Sequence, residues 1–207
     1  MKQNTKVSSK NRSLDQKVRR MAVIAMMGAV SAVLMFFSFN VPFMPSFIKL
    51  DFSELPALIA TFSLGPSAGA MVCLIKNLVN LPFSTTGGVG ELSNFLLGVF
   101  FVVPAGLLYL KKKSRKHALL GSFLGAIIMA ALSTITNYYI VYPVYSNFMP
   151  MDSIIQAYQI LNPNVTDLWD CLLWFNMPFT FLKGMCSVLI TFLIYKHLSP
   201  IIKGTIH

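Results

Sequence analysis

Charged residues are scarce in this chain. Only 12% of the 207 residues are Asp, Glu, Lys or Arg, the acids number 7, and 55% of the chain is apolar, with a mean hydropathy of +0.65. A water-soluble domain of this composition would expose far more apolar surface than such domains do. The scarcity of charge therefore excludes an ordinary soluble fold and indicates an integral membrane protein.

Several motifs that carry chemistry are missing. The 3 cysteines, Cys73, Cys171 and Cys186, show no CxxC spacing, so they indicate neither a disulfide framework nor a metal site and are interpreted as small core residues. There is no GxxxxGK[ST] loop for ATP hydrolysis. No histidine stands beside a serine or cysteine nucleophile inside an apolar span, which disfavours an intramembrane protease or a metal-dependent hydrolase. We expect a protein that is not an enzyme and has no cofactor.

Positive charge is in excess, because 17 Lys and Arg give a formal net charge of +10. The cations cluster in the N-terminal tail and in the segment KKKSRKH at 111–117. Both clusters flank apolar spans, and Lys and Arg prefer the cytoplasmic ends of such spans. The clusters are therefore interpreted as topology signals, and no nucleic-acid partner is expected.

Six apolar spans are predicted. In chain order they cover 21–39, 52–64, 66–80, 91–110, 117–141 and 171–196. The second and third are short for a hydrocarbon core of ~30 Å, which usually takes about 20 helical residues. They form either one broken helix or two helices; the Gly65-Pro66 pair favours two, because proline lacks a donor N–H and disfavours helix in the preceding residue.

The charge distribution agrees with two helices. With both basic clusters on the cytoplasmic side, an even number of spans separates them, and the loop 142–170, which has aspartates and no cation, lies outside. The sequence thus predicts an all-α membrane protein, a six-transmembrane-helix bundle with both termini cytoplasmic. We divide it into a basic cytoplasmic tail at 1–20, a membrane domain at 21–198 and a cytoplasmic tail at 199–207.

Polar residues interrupt the outer halves of the spans. Lys183 lies too deep to reach the headgroups easily, and an ionisable group at that depth normally faces a bundle interior or a polar ligand. Lys76, near an outer helix end, either extends to the headgroups or contacts a ligand. Asn94 and Asn137 contact a ligand or hold helices together. Further candidates are Asn176 and Thr180, on the same helical stripe as Lys183, and Asn77.

Two other features have competing interpretations. The glycine-rich segment 87–90 is either a flexible extracellular turn or a place where backbone groups approach a ligand closely. Asp51 and Glu54 are interpreted as a surface charge group beside Lys49. No acid is predicted at the membrane midplane, which disfavours an autonomous secondary transporter with an ion-coupling site.

Four segments together resemble a known family. They are DFSELPALIATFSLGPSAGAMVCLIKNLVN, GELSNFLLG, TNYYIVYPVY and MPFTFLKG, and they resemble the riboflavin-specific substrate-binding subunits (S components) of energy-coupling factor (ECF) transporters over about 21–196. The resemblance implies a bundle in the bacterial cytoplasmic membrane that captures riboflavin from outside. It also implies partners: a transmembrane coupling subunit and two cytoplasmic ATPases.

The resemblance implies roles for individual residues. Asn137 and Lys183 are expected to bind the edge of the flavin ring, and Asn77 with the backbone around Gly88 and Gly90 to meet the ribityl hydroxyls. The family pattern has asparagine where this chain has Thr180, so one hydrogen bond is lost or transferred to Asn176. The full predicted binding set is Asn77, Gly88, Gly90, Asn94, Asn137, Asn176, Thr180 and Lys183.

The first span carries a face of small residues. Such faces let helices approach closely, and the partner helix is as often internal as external. The resemblance favours docking on the coupling subunit through Ala25, Ala29 and Ala32. Two alternative functions stay open: an S component for another vitamin, such as thiamin or biotin, and the secondary transporter.

Overall fold

The computed structural model describes residues 2–45, 48–84, 87–147 and 149–203, with side chains from 14 to 195 within those ranges. The described helices are α1 (Lys2–Phe36), α2 (Glu54–Leu64), α3 (Pro66–Asn80), α4 (Val89–Lys111), α5 (Arg115–Thr136), α6 (Tyr142–Tyr145), α7 (Met151–Gln159), α8 (Leu168–Cys171) and α9 (Met177–Lys203). Between α1 and α2, strands β1 (Phe39–Asn40) and β2 (Lys49–Leu50) pair antiparallel. A short 3-10 helix, Leu81–Phe83, follows α3.

Four helical stretches are long and apolar enough to cross a membrane. They cover 14–36, 89–111, 115–145 and 168–195, and α2 is a shorter apolar helix. The predicted all-α membrane class agrees with this finding, whereas the count of six crossings stays a prediction. The basic segment predicted as a cytoplasmic tail at 1–20 is helical from Lys2, since α1 runs through it into the first span. The tail predicted at 199–207 is helical as far as Lys203, and 204–207 lie outside the described residues.

Two helices, not one broken helix, occupy 54–80. Gly65 has φ +102°, a left-handed value that glycine adopts without a steric penalty, and Pro66 begins α3. At 1.5 Å per residue, the 11 residues of α2 span only about 16 Å. Every residue from Glu54 to Phe62 is buried, and α1, α3, α4 and α9 all contact α2. So short a helix fits because it lies inside the bundle.

The long helices α4 and α5 approach each other closely. A Cβ built on Gly125 would clash with the Phe101 carbonyl oxygen, and one on Gly121 would lie 2.8 Å from that of Ala105. Small residues four apart on α5 therefore let the two backbones pack directly, as in many membrane helix pairs.

The α2–α3 turn and the basic ends of the neighbouring helices lie at one end of the bundle, here called the basic end. Arg20 Nη2 on α1 donates to Ser67 Oγ at the start of α3, at 2.9 Å. A Cβ on Gly106, near the end of α4, would contact Pro66. The opposite end holds the end of α5 and the start of α9.

The described residues of the segment predicted as the loop 142–170 are largely helical and packed. It contains α6, α7 and α8, and Tyr142, Ile154 and Tyr158 from these helices form one apolar cluster with Val165, which lies between α7 and α8. The three cysteines differ in burial. Cys73 and Cys171 are buried, as predicted, whereas Cys186 is exposed. The interpretation of Cys186 as a core residue is therefore wrong.

Candidate ligand-binding site

A cavity of about 200 Å³ lies at the end of the bundle away from the basic end. Its polar and tyrosine lining consists of Glu54, Asn94, Asn137, Tyr142, Tyr145, Asn176, Thr180 and Lys183. Its apolar lining consists of Ile48, Leu97, Met129, Val141 and Phe179. Apolar walls with a few placed polar groups are typical of sites for small organic ligands.

Two π-helical turns shape the cavity wall. One, Asn137–Val141, joins α5 to α6, and the other, Leu172–Asn176, joins α8 to α9. Single π turns inside α-helices occur frequently at functional sites. Here each turn has at one end an asparagine that lines the cavity, Asn137 in the first and Asn176 in the second.

Asn176 belongs to a closed ring of three hydrogen bonds. Tyr158 Oη donates to Asn176 Oδ1 at 2.7 Å, Asn176 Nδ2 donates to Tyr142 Oη at 3.3 Å, and the two hydroxyls are 2.6 Å apart. In this arrangement the Tyr142 hydroxyl donates to that of Tyr158. All three residues are buried. The ring fixes the orientation of the Asn176 amide and ties α6 and α7 to the π-helical turn that precedes α9.

Lys183 forms a partly buried ion pair at the cavity wall. Its Nζ lies 2.7 Å from Oδ2 of Asp51, whose Oδ1 accepts the Ser53 N–H at 2.9 Å. Burial by itself would raise the pKa of Asp51, but the charges of Lys183 and Lys76 outweigh it and hold the pKa of this carboxyl below its usual range. Asp51 is therefore an ionised partner for Lys183 at neutral pH.

A second ion pair is fully buried next to the first. Lys76 Nζ lies 2.6 Å from Glu54 Oε1 and donates to Ser53 Oγ at 2.7 Å. Of the two alternatives left open for Lys76, extension to the headgroups is wrong, because its side chain is 0% exposed. The surface interpretation of Asp51 and Glu54 is also wrong, since they are 6% and 1% exposed.

The reason for both errors is the depth of α2. The helix is short and enclosed, so its first turn and the preceding residues lie inside the bundle. Buried charges are retained when they are paired and hydrogen-bonded. Here Lys76 pairs with Glu54, and Lys183 pairs with Asp51.

Five of the eight predicted binding residues meet at the cavity: Asn94, Asn137, Asn176, Thr180 and Lys183. Asn94 Nδ2 also contacts Met35 Sδ at 3.7 Å, and Thr180 Oγ1 accepts from Ser133 Oγ at 3.3 Å. Both side chains therefore also join helices, which was the alternative open for Asn94.

The other three predicted binding residues lie elsewhere. Asn77 and Gly88 line a separate groove of about 390 Å³ between α3 and α4. Gly90, in the first turn of α4, lines neither space. The resemblance implied that Asn77 and Gly88 meet the ligand, but the packing of α3 against α4 turns both toward the groove.

Sequence reasoning missed Glu54, Tyr142 and Tyr145 as lining residues. The tyrosines stand in the segment TNYYIVYPVY, from which only Asn137 was selected. A signal for Glu54 existed: a carboxylate and a lysine, 22 positions apart, occupy the two short helices of one helical hairpin.

The small-residue face of α1 is split between surface and interior. Ala25 and Ala29 are exposed, while Ala32 is buried at 2% exposure and Gly28 packs on Ile75 of α3. Ala32 therefore packs inside the protein, and its assignment to an external docking face is wrong.

Comparison with known proteins agrees with this geometry. The family "ECF transporter, substrate-specific component" matches residues 19–195. This chain belongs to that family. The riboflavin transporter RibU of Staphylococcus aureus (strain TCH60) is 33% identical over 188 residues, 91% of this chain and 94% of that protein. The riboflavin transporter FmnP of Bacillus subtilis (strain 168) is 32% identical over 189 residues, 89% of this chain and 94% of that protein.

A solved S component has the same fold. The structure, described as the S component of a bacterial ECF transporter, matches with a TM-score of 0.71 at 33% identity and covers 90% of this chain and 99% of that chain. With its apolar helices and this family membership, the present S component is a multi-pass protein of the cell membrane.

Proposed function

We propose that this S component binds riboflavin and serves its uptake. The observation that carries the proposal is the cavity, in which tyrosine and phenylalanine rings stand beside Lys183 and three asparagines. Riboflavin combines a flat apolar ring system, a polar ring edge and a chain of hydroxyls. A site for it needs apolar and aromatic surface for the ring and polar side chains for the edge and the hydroxyls. The similar proteins of S. aureus and B. subtilis are named riboflavin transporters.

Each part of the cavity has a proposed partner on the ligand. Tyr142, Tyr145 and Phe179 offer aromatic surface for the ring system. Asn137 offers both donors and an acceptor to the ring edge, and Lys183 offers donors to a ring carbonyl or nitrogen. Thr180 stands at the position of the family asparagine, and Asn176, one helical turn earlier, is the proposed replacement for its hydrogen bond.

The proposed topology has six membrane crossings with both termini in the cytoplasm. Arg20 beside Ser67, and Gly106 beside Pro66, support it, because they put the start of the first span, the α2–α3 turn and the end of α4 on one side. Cationic residues mark that side as cytoplasmic. The cavity at the other end then opens to the outside of the bacterial cytoplasmic membrane.

The proposed partners are a transmembrane coupling subunit and two cytoplasmic ATPases. The chain has no phosphate-binding loop of its own, so energy for uptake comes from subunits that hydrolyse ATP. The exposed residues Ala25 and Ala29 on α1 are the proposed contact with the coupling subunit. In this role the protein captures and releases a ligand and is not an enzyme.

Titration of the purified protein with riboflavin tests the proposal. We expect quenching of riboflavin fluorescence at micromolar protein, because the bound ring lies against aromatic side chains. Unchanged fluorescence together with binding of thiamin or biotin would identify an S component for another vitamin. Ion-driven uptake by this chain alone in proteoliposomes would instead identify a secondary transporter.

A further inference from the structure

Glu54 is the acidic residue in the cavity lining, and neither the fold nor the family name assigns it a role. We propose that its carboxylate binds the ligand by accepting a hydrogen bond from a hydroxyl of the polyol chain. The inference rests on the proposed riboflavin function.

The carboxylate of Glu54 has unused acceptor capacity. Oε1 accepts from Lys76 Nζ at 2.6 Å, but Oε2 is approached only by the Cys73 thiol at 3.9 Å among the described residues. A carboxylate has about four acceptor sites, and buried polar groups are normally hydrogen-bonded. A buried oxygen beside a cavity, with only a distant thiol as its donor, is therefore suited to a ligand that brings a donor.

The type of donor follows from the chemistry of the two ligand ends. The edge of the flavin ring presents mainly acceptors, which match the ammonium group of Lys183 and the amide NH₂ of Asn137. The polyol chain carries most of the O–H donors of riboflavin. An ionised carboxylate accepts only, so Glu54 matches the chain, and a hydrogen bond to a charged acceptor is stronger than a neutral one.

Lys76 is the positioning residue for this carboxylate. It is fully buried, lines no part of the cavity and reaches Glu54 from behind through an ion pair. Glu54 also lies in the first turn of α2, where the helix dipole favours a negative charge. Both features offset the desolvation cost of burying a carboxylate in the cavity wall. An isolated carboxylate would have no such compensation.

The test compares two flavins on a charge-balanced variant. Glu54→Gln combined with Lys76→Met removes both charges with little change in volume, so no unpaired charge is left in the core. Because a hydrogen bond to a charged group contributes about 1.5–3 kcal/mol, riboflavin affinity is expected to fall about tenfold or more. The affinity for lumiflavin, a flavin without the polyol chain, is expected to change less than about threefold, since it makes no bond to Glu54.

A matched control is Asp152→Asn, an exposed acid in the first turn of α7 that does not line the cavity. It should leave both affinities unchanged. If the double variant does not fold, Glu54→Asp keeps a negative charge for Lys76 but withdraws the carboxylate, and the same selective loss is expected.

The outcomes separate the two proposals. An equal loss for both flavins would assign Glu54 a purely structural role, and unchanged riboflavin affinity would remove it from the site; either result overturns the inference. A wild-type protein that binds neither flavin would instead refute the riboflavin function itself.

Discussion

Lys183 Nζ and Asp51 Oδ2 lie 2.7 Å apart although the residues are separated by 132 positions in the chain. The contact joins α9, which contributes Lys183 to the cavity wall, to the connection before α2. Lys183 lines the cavity and Asp51 does not. Asp51 occupies one of three N–H donors of the ammonium group and leaves the others for a ligand.

Asp51→Asn should weaken riboflavin binding, because it leaves the Lys183 ammonium without its ion-pair partner. In a double-mutant cycle with Lys183→Met, we expect a coupling free energy of about 1 to 3 kcal/mol for ligand binding. The check is fluorescence titration of the four proteins. Losses that simply add would show that Asp51 acts independently of Lys183.

Asn137→Ala should lower riboflavin affinity by about 1 to 3 kcal/mol, because it leaves a polar edge of the desolvated ligand without a partner. Tyr139→Phe is the matched control, since Tyr139 is two positions away and 69% exposed. Titration of both variants decides the matter. Near-wild-type affinity of a folded Asn137→Ala protein would remove this residue from the site.

Thr180→Asn should be neutral or tighten binding. The substitution restores an amide at a cavity position where the family pattern has asparagine, while Asn176 is already held by Tyr142 and Tyr158. Parallel titration of wild type and variant gives the ratio of dissociation constants. A marked loss of affinity would mean that the amide of Asn176 already fills this role and that the larger side chain crowds the cavity.

Tyr158→Phe should destabilise the protein without removing any lining residue. The change takes away the donor to the buried Asn176 Oδ1 and the partner of the Tyr142 hydroxyl. A buried polar group left unsatisfied costs about 1–3 kcal/mol, so the free energy of unfolding should fall by that amount. Unfolding in detergent, with Tyr139→Phe as control, measures the effect; equal stability of the two variants would contradict it.

Hydropathy and charge predicted most of the helices. The predicted span at 66–80 coincides with α3, and Gly65-Pro66 does separate two helices. The polar residues selected in the last two predicted spans line one cavity. Asn176, Thr180 and Lys183 lie on one helix face, and Asn137 follows the end of the neighbouring helix α5.

The buried charges could not be predicted in the same way. Whether the acids before and within α2 face water depends on how far α2 penetrates the bundle, and a hydropathy pattern does not report that depth. The π turns at Asn137 and Asn176 likewise have no signature in the pattern of apolar residues. The separate groove beside Asn77 depends on the rotation of α3 against α4, which only tertiary packing determines.

The exposed small residues of α1 give the last prediction. Ala25 and Ala29 lie one turn apart on the outer face of the helix, while Ala32 is packed inside. Helices that pack through alanine lie closer than helices packed through large side chains, so two tryptophans would separate α1 from a docked helix. Ala25→Trp with Ala29→Trp should therefore abolish co-purification with the coupling subunit and riboflavin uptake.

Riboflavin affinity of the purified double variant should stay within a few-fold of wild type, because neither alanine lines the cavity. Val30→Trp is the control, since Val30 is also exposed on α1 but lies about 140° around the helix from Ala25 and about 100° from Ala29. It should co-purify normally. Loss of riboflavin binding in the double variant would show that this face packs inside the bundle. Intact co-purification would show that the coupling surface lies elsewhere on the protein.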